Sequence, residues 1–185
     1  MPKASPAPHG LDLVIDFVNT LDLDEGEDQL SAPEGVSSWL AGRGLLDPGL
    51  RTSEAERAQA IVLREALRSL MLTNNGAADS ADAAEELERT ARSGELGVHF
   101  GSGGQVSLDP RAAGLAGALA RLLVPVAEAV GDGSWQRVKA CRAHDCQWAF
   151  YDRSRNRSGV WCEMAVCGNR TKVRAYRERG PRSRA

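Results

Sequence analysis

Four cysteines, Cys141, Cys146, Cys162 and Cys167, carry the clearest chemistry in this 185-residue chain. They form two close pairs, each with four residues between its members, and fifteen residues separate the pairs. Two such pairs can surround one ion tetrahedrally. Four thiolates suit a soft, tetrahedral, redox-silent ion, so Zn2+ is the favoured metal, at one per chain. Four protein ligands leave no open coordination position, which makes the ion structural rather than catalytic. An iron–sulfur cluster is a second reading. Two disulfides would need an oxidising compartment, and four unrelated buried cysteines would not need the paired spacing. His144 lies between the first two cysteines and could replace one of them. A stretch of about 45 residues buries little apolar surface, so it needs a staple of this kind.

Arginines surround the cysteines. Arg153, Arg155 and Arg157 precede the third cysteine, and Arg170, Lys172, Arg174 and Arg177 follow the fourth. Arg170, Arg174 and Arg177 recur at i, i+4 and i+7, so a helix there displays them as one stripe. Val173 and Tyr176 sit beside the stripe, suited to packing on the metal core. The planar arginine fork donates two hydrogen bonds at once, which matches a phosphate. Residues 137–185 hold 13 Lys/Arg against 4 Asp/Glu, a balance of +9, while residues 1–136 stand at −11. An acidic body with a basic end suggests either an external polyanion, nucleic acid above all, or two halves that neutralise each other by docking.

The N-terminal part offers weaker candidates. Asp12, Asp16 and Asn19 share one face of an early helix and could line a pocket for a cationic or polar small molecule. The plain alternative is a solvated face, with Asn19 capping a neighbouring element. Arg64 projects to the outer face of its helix, as a solvent residue or a partner for Asp16. There is no P-loop, dinucleotide glycine pattern or Gly-x-Ser-x-Gly, and His9, His99 and His144 are scattered, so no enzyme is expected.

The elements that must position these residues follow from periodicity. Leu11 to Leu23 reads as a helix, and Val36 to Leu45 as a short one. Ser53-Glu-Ala-Glu56 is a capping box opening a helix to about Leu72, with Val62, Leu63, Ala66 and Leu70 inward and Arg57, Arg64, Glu65 and Arg68 outward. Asn74-Asn-Gly76 stops it. Ser80 to Arg92 is another helix, and Val98, Phe100, Val106 and Leu108 flank a glycine turn as a β-hairpin. Arg111 to Val130 is a helix that Pro125 bends or ends. Gly131-Asp-Gly133 is a joint before the cysteine module. There Gln147 to Asp152 alternates as a strand, and Trp148, Phe150 and Trp161 are the expected small core. The fold class is α+β, mainly α-helical: an N-terminal helical domain with a β-hairpin, then a small zinc-stapled β/α module. No run approaches 18 consecutive apolar residues and the first eight residues lack a secretory h-region, so no membrane and a reducing, cytoplasmic setting are expected. The excess of arginine over lysine, 20 to 3, suggests GC-rich coding and a bacterial source.

These residues resemble the CGNR zinc finger family. The likeness rests on Cys141-x4-Cys146, Trp148-x-Phe150-x-Asp152, Ser154-Arg155-Asn156 and Trp161-Cys-Glu-Met-Ala-Val-Cys-Gly-Asn-Arg170. It implies a zinc-binding, DNA-binding module with Cys141, Cys146, Cys162 and Cys167 as ligands. The family commonly has two basic residues before Trp-Cys, and Gly159-Val160 stand there instead. Asp16-Phe-Val-Asn-Thr20, Trp39-Leu40 and Leu63-Arg-Glu-Ala-Leu67 resemble the accompanying ABATE domain, which implies stress-induced transcription regulation and an N-terminal domain that binds a ligand; the candidate ligand residues are Asp16, Asn19 and Arg64.

The expected organisation is a disordered arm over 1–9, an ABATE-like ligand-sensing domain over 10–131, a CGNR-type finger over 132–180 and a disordered tail over 181–185. The expected function is a DNA-binding bacterial transcription regulator that senses an unknown small molecule. One small finger reads little sequence alone, so a homodimer is expected. The alternative is a protein-interaction adaptor whose zinc module docks an acidic partner.

Overall fold

The computed structural model describes residues 6–178; the tail expected over 181–185 lies outside them. Residues 1–5 of the expected arm also lie outside the described residues. Ala7 is buried, its N–H donates to Asp12 Oδ2 (2.8 Å), and His9 in the turn Pro8–Gly10 bonds Asp132. Helix α1 (Leu11–Val18) follows and is shorter than its apolar spacing predicts. The Thr20 hydroxyl caps the Phe17 carbonyl at 2.7 Å, and the chain turns into a small ribbon, β1 (Leu21–Asp22) against β2 (Glu27–Asp28).

Helices α2 (Pro33–Ala41) and α3 (Glu54–Thr73) come next. The capping box forms as expected: Glu56 N–H donates to Ser53 Oγ and Ser53 N–H to Glu56 Oε2. Helix α4 (Ala81–Ser93) leads into an antiparallel hairpin, β3 (Leu96–Phe100) with β4 (Val106–Pro110). The apolar stretch beyond is two helices, α5 (Gly114–Arg121) and α6 (Leu123–Asp132), divided at Leu122. Pro125 has no N–H to continue the α5 ladder onto Arg121, so the break falls one turn before the proline. By length and composition Gly114–Asp132 could cross a membrane, yet it bends at Leu122 and much of it lies in the core.

Helix α3 lies at the centre, against α1, α2, α4 and a strand of the cysteine module. Neighbours on several sides explain why a one-face projection fails for it. Arg64 and Arg68, expected outward, are each 2% exposed, whereas Val62, expected inward, is 48% exposed. Burial is tolerable for the two arginines because every arm is bonded. Arg64 makes a two-pronged pair with Asp28 (2.6 and 3.1 Å) and reaches Glu65; Arg68 donates to Glu65 and to the carbonyls of Val18 and Gln147.

The chain then forms β5 (Val138–Ala140), antiparallel to β6 (Ala149–Tyr151), and ends in a π-helical turn, Met164–Gly168, that runs into α7 (Asn169–Glu178). The hydrophobic core crosses from the helices into this region. Trp135, Val138, Ala140 and Ala149 belong to the same buried cluster as Phe17, Leu63, Leu67 and Leu122.

Polar side chains of the helical part complete the edges of the β5–β6 sheet. Asn19 offers both halves of its amide to Ala149, accepting from its N–H (2.7 Å) and donating to its carbonyl (2.9 Å). Asn74 donates to the carbonyls of Trp135 and Val138, and Asn75 to those of Ala140 and Val160, at 2.8–2.9 Å. The helix stop read at Asn74-Asn-Gly76 is therefore also a clamp on the next module. Asn75→Ala strands two carbonyls at an enclosed site, with an expected loss of about 2–4 kcal/mol. Denaturant unfolding followed by far-ultraviolet dichroism and by tryptophan fluorescence checks this, and both signals should move together because the core is shared.

Candidate metal centre

The loop between β5 and β6 delivers Cys141 and Cys146, and the segment ending in the π turn delivers Cys162 and Cys167. Cys141 N–H bonds the Trp148 carbonyl (2.9 Å), which closes the first loop, and Gln147 takes a left-handed conformation (φ 50°) at its tight end. All four residues are thiols, and their sulfurs lie within 4.8 Å of one another. The Cys146–Cys162 and Cys162–Cys167 sulfurs are 3.6 Å apart. A tetrahedron with Zn–S bonds of about 2.3 Å has sulfurs about 3.8 Å apart, so the donor set fits one structural zinc ion. Burial above all pushes the Cys146 thiol up to about 12, and burial together with the neighbouring sulfurs pushes Cys162 higher. Zinc, when bound, favours the thiolates and cross-links the two segments.

The chain prepares the cradle itself. Trp148 and Trp161 pack against the cysteines, as expected, whereas Phe150 is only half-buried and takes no place in that cluster. A Cβ on Gly168 would stand 2.5 Å from the Met164 sulfur and 3.1 Å from Trp161, so a side chain there would displace the Met164 thioether and crowd Trp161. Asn169 donates to the Ala165 carbonyl (3.0 Å) across the join with α7. His144 is exposed, outside the sulfur cluster.

A buried ion pair shapes the arginine loop. Lys139 Nζ is 2.8 Å from Asp152 Oδ2, with both side chains almost fully buried. Asp152 also accepts from Ser154 N–H and Gly159 N–H, while Lys139 donates to the carbonyls of Arg157 and Gly159. Despite burial, these donors, Lys139 foremost, hold the Asp152 carboxyl down at about 2. A Cβ on Gly159 would meet the Asp152 carboxylate at 2.7–3.0 Å, and the Val160 carbonyl is taken by Asn75. Glycine at 159 thus follows from this close approach.

The basic residues fall into two groups. Arg170 NH1 grips Asp24 (2.8 and 3.0 Å), and its NH2 lies 3.8 Å from Cys167 Sγ. Arg174 NH2 is 3.0 Å from Asp145. The stripe expected to face an outside anion is therefore turned partly inward at both residues. Arg153 lies over the Tyr151 ring (5.3 Å), and Arg157 bonds Gln136. Arg153, Arg155, Arg157, Lys172 and Arg177 are exposed, and none meets a carboxylate among the described residues. Val173 and Tyr176, expected on the metal core, are 49% and 74% exposed, so neither is buried against it.

The three N-terminal candidates do not converge. Asp16 is exposed, 3.9 Å from Arg43; Asn19 is spent on Ala149; Arg64 is spent on Asp28 rather than Asp16. Sequence reasoning missed Arg68, Asn74, Asn75 and the Lys139–Asp152 pair. A buried role for Asp152 could have been suspected from the turn-forming Asp-Arg-Ser that it opens.

A family model described as the CGNR zinc finger matches residues 137–180. A model described as ABATE, a putative stress-induced transcription regulator, matches residues 11–133. Neither description is of an enzyme. A comparison with curated proteins finds no match.

Metal analysis should give one zinc per chain for the wild type and for His144→Ala, and loss of the ion for Cys162→Ser. Asp152→Asn leaves Lys139 charged and buried without its counter-ion, so it should keep zinc yet lose about 3–5 kcal/mol in denaturant unfolding.

Proposed function

The chain belongs to the ABATE family and carries a CGNR zinc finger, and from this premise we propose that it is a DNA-binding transcription regulator that responds to stress through a small molecule sensed by its helical part. One observation carries the DNA half: Arg153, Arg155, Arg157, Lys172 and Arg177 are exposed around the cysteine site and meet no internal carboxylate among the described residues. Cations held on a stapled scaffold can neutralise phosphates with little further ordering cost. The zinc ion has no chemical step in this reading. It fixes the angle at which α7 and the arginine loop leave the body. Asp24 and Asp145 compete with phosphate for Arg170 and Arg174, so those two contribute less to affinity than their spacing suggests. A reducing cytoplasm, which keeps the thiols available, is the setting that suits this role.

A second reading has its own support. Met164, Val166, Val173 and Tyr176 are about half exposed or more, next to the basic side chains. An adaptor docking an acidic protein would use both kinds of residue. Val173→Ser with Tyr176→Ser separates the readings: it spares phosphate binding and weakens an apolar protein contact.

The test is anisotropy with a labelled mixed-sequence duplex at several salt concentrations. With about four to six phosphates neutralised, log affinity should fall against log salt with a slope of roughly −4 to −5. Changing Arg153, Arg155, Lys172 and Arg177 together to Ala should make the slope shallower by about one for each phosphate that is no longer neutralised. Changing Arg170 alone should have a smaller effect. A wild type that does not bind, or a quadruple variant with an unchanged slope, overturns the DNA reading.

A further inference from the structure

A groove lies between α3 and α4, with two lobes that share Val62, Glu86 and Arg89. One lobe, about 230 Å³, is walled by Ala58, Val62, Ala116 and Leu119 where α5 closes its side. The other, about 410 Å³, is rimmed by Glu65, Asp82 and Glu85. Where they meet, Glu86 is only 8% exposed. Its carboxylate accepts from Thr90 Oγ1 (3.3 Å) and pairs with Arg89.

Packing alone does not account for Glu86. An apolar residue at a site this enclosed would avoid the desolvation cost of a carboxylate. Arg89 is the one cation lining either lobe among the described residues, and its side chain is 59% exposed and shared with Glu85. It can swing into solvent when another cation takes its place at Glu86. Glu65 is held by Arg64 and Arg68, which leaves Asp82, Glu85 and Glu86 against this one guanidinium and makes the groove unfavourable for anions. The apolar wall rewards a flat hydrocarbon body. For scale, an apolar cavity of about 150 Å³ holds benzene, so the α5 lobe has room for one or two rings.

We propose that this groove binds a small amphiphilic cation, with its apolar body in the α5 lobe and its ammonium group at Glu86 in place of Arg89. This deepens the sensing half of the proposed function and rests on that reading for its biological meaning. Its floor is α3, the helix whose Arg68, with Asn74 and Asn75 in the turn that ends it, holds the cysteine module. Binding at one flank of α3 thus has a direct physical route to the module gripped by the other.

The test is an NMR titration of the full chain with 2-naphthylmethylammonium, its neutral alcohol and 2-naphthoate. The cation should saturate one site and perturb amides of α3, α4 and α5. The alcohol should bind at least about tenfold more weakly, and the naphthoate should not bind. Glu86→Gln should cost the cation at least about tenfold. Arg89→Ala removes the internal competitor and should tighten cation binding, a gain that a folding defect cannot imitate. Equal binding of cation and anion, perturbation confined to other helices, or weaker binding by Arg89→Ala would overturn the proposal. Duplex affinity measured on the same samples reports on the DNA reading separately, since the groove variants touch none of the exposed arginines.

Discussion

A two-stranded sheet inside a protein has two open edges, and neither can be left without partners once water is excluded. That constraint governs how this chain joins its two parts. The β5–β6 sheet is too small to satisfy itself, so side chains from the helical part finish it. Asn19 acts on the β6 edge as a substitute strand, with one donor and one acceptor, and Asn74 and Asn75 supply donors along the β5 edge. Arg68 adds a bond to the Gln147 carbonyl at the loop between the strands. The cysteine site stands at the end of a sheet already tied to α1 and α3.

Zinc and the polar clamp therefore do different work. The clamp and the shared core fix β5 and β6, which carry the first cysteine pair. The segment after β6 pairs with no further strand among the described residues; side-chain bonds such as the Lys139–Asp152 knot, Arg137 to the Ser154 carbonyl and Asn75 to the Val160 carbonyl hold it, together with the sulfurs. A cross-link contributes most where the chain is otherwise least constrained, and that is the segment that leads into α7. The ion thus matters most for the placement of the basic helix.

Legibility from sequence followed the range of the interactions. The four thiols, the capping box, the β3–β4 hairpin and most helices depend on neighbours in sequence, and periodicity or spacing found them. Arg64 and Arg68 were misplaced because a helical projection assumes one buried face, and α3 is covered on several. Asn19 and Asn75 act on residues 130 and 85 positions away, where no local pattern can point. The same distance hides the Asp24–Arg170 pair, which spans 146 positions. Val173 and Tyr176 failed in the opposite direction. Their periodicity is helical, but helical spacing alone does not say which side of α7 meets the body, and both side chains are exposed.

The charge asymmetry had two competing explanations, and the structure divides the cations between them. Arg170 and Arg174 neutralise Asp24 and Asp145 within the chain, as docking of the halves would have it. The arginine loop and the outer side of α7 keep their charge toward solvent. Gly159-Val160 belongs to the same division. A larger residue at 159 would displace the Asp152 carboxylate, and with it Lys139 and the loop carrying Arg153, Arg155 and Arg157. A basic side chain there would add one cation at the cost of the geometry that presents three. In this chain the glycine leaves room for the carboxylate that orders the loop.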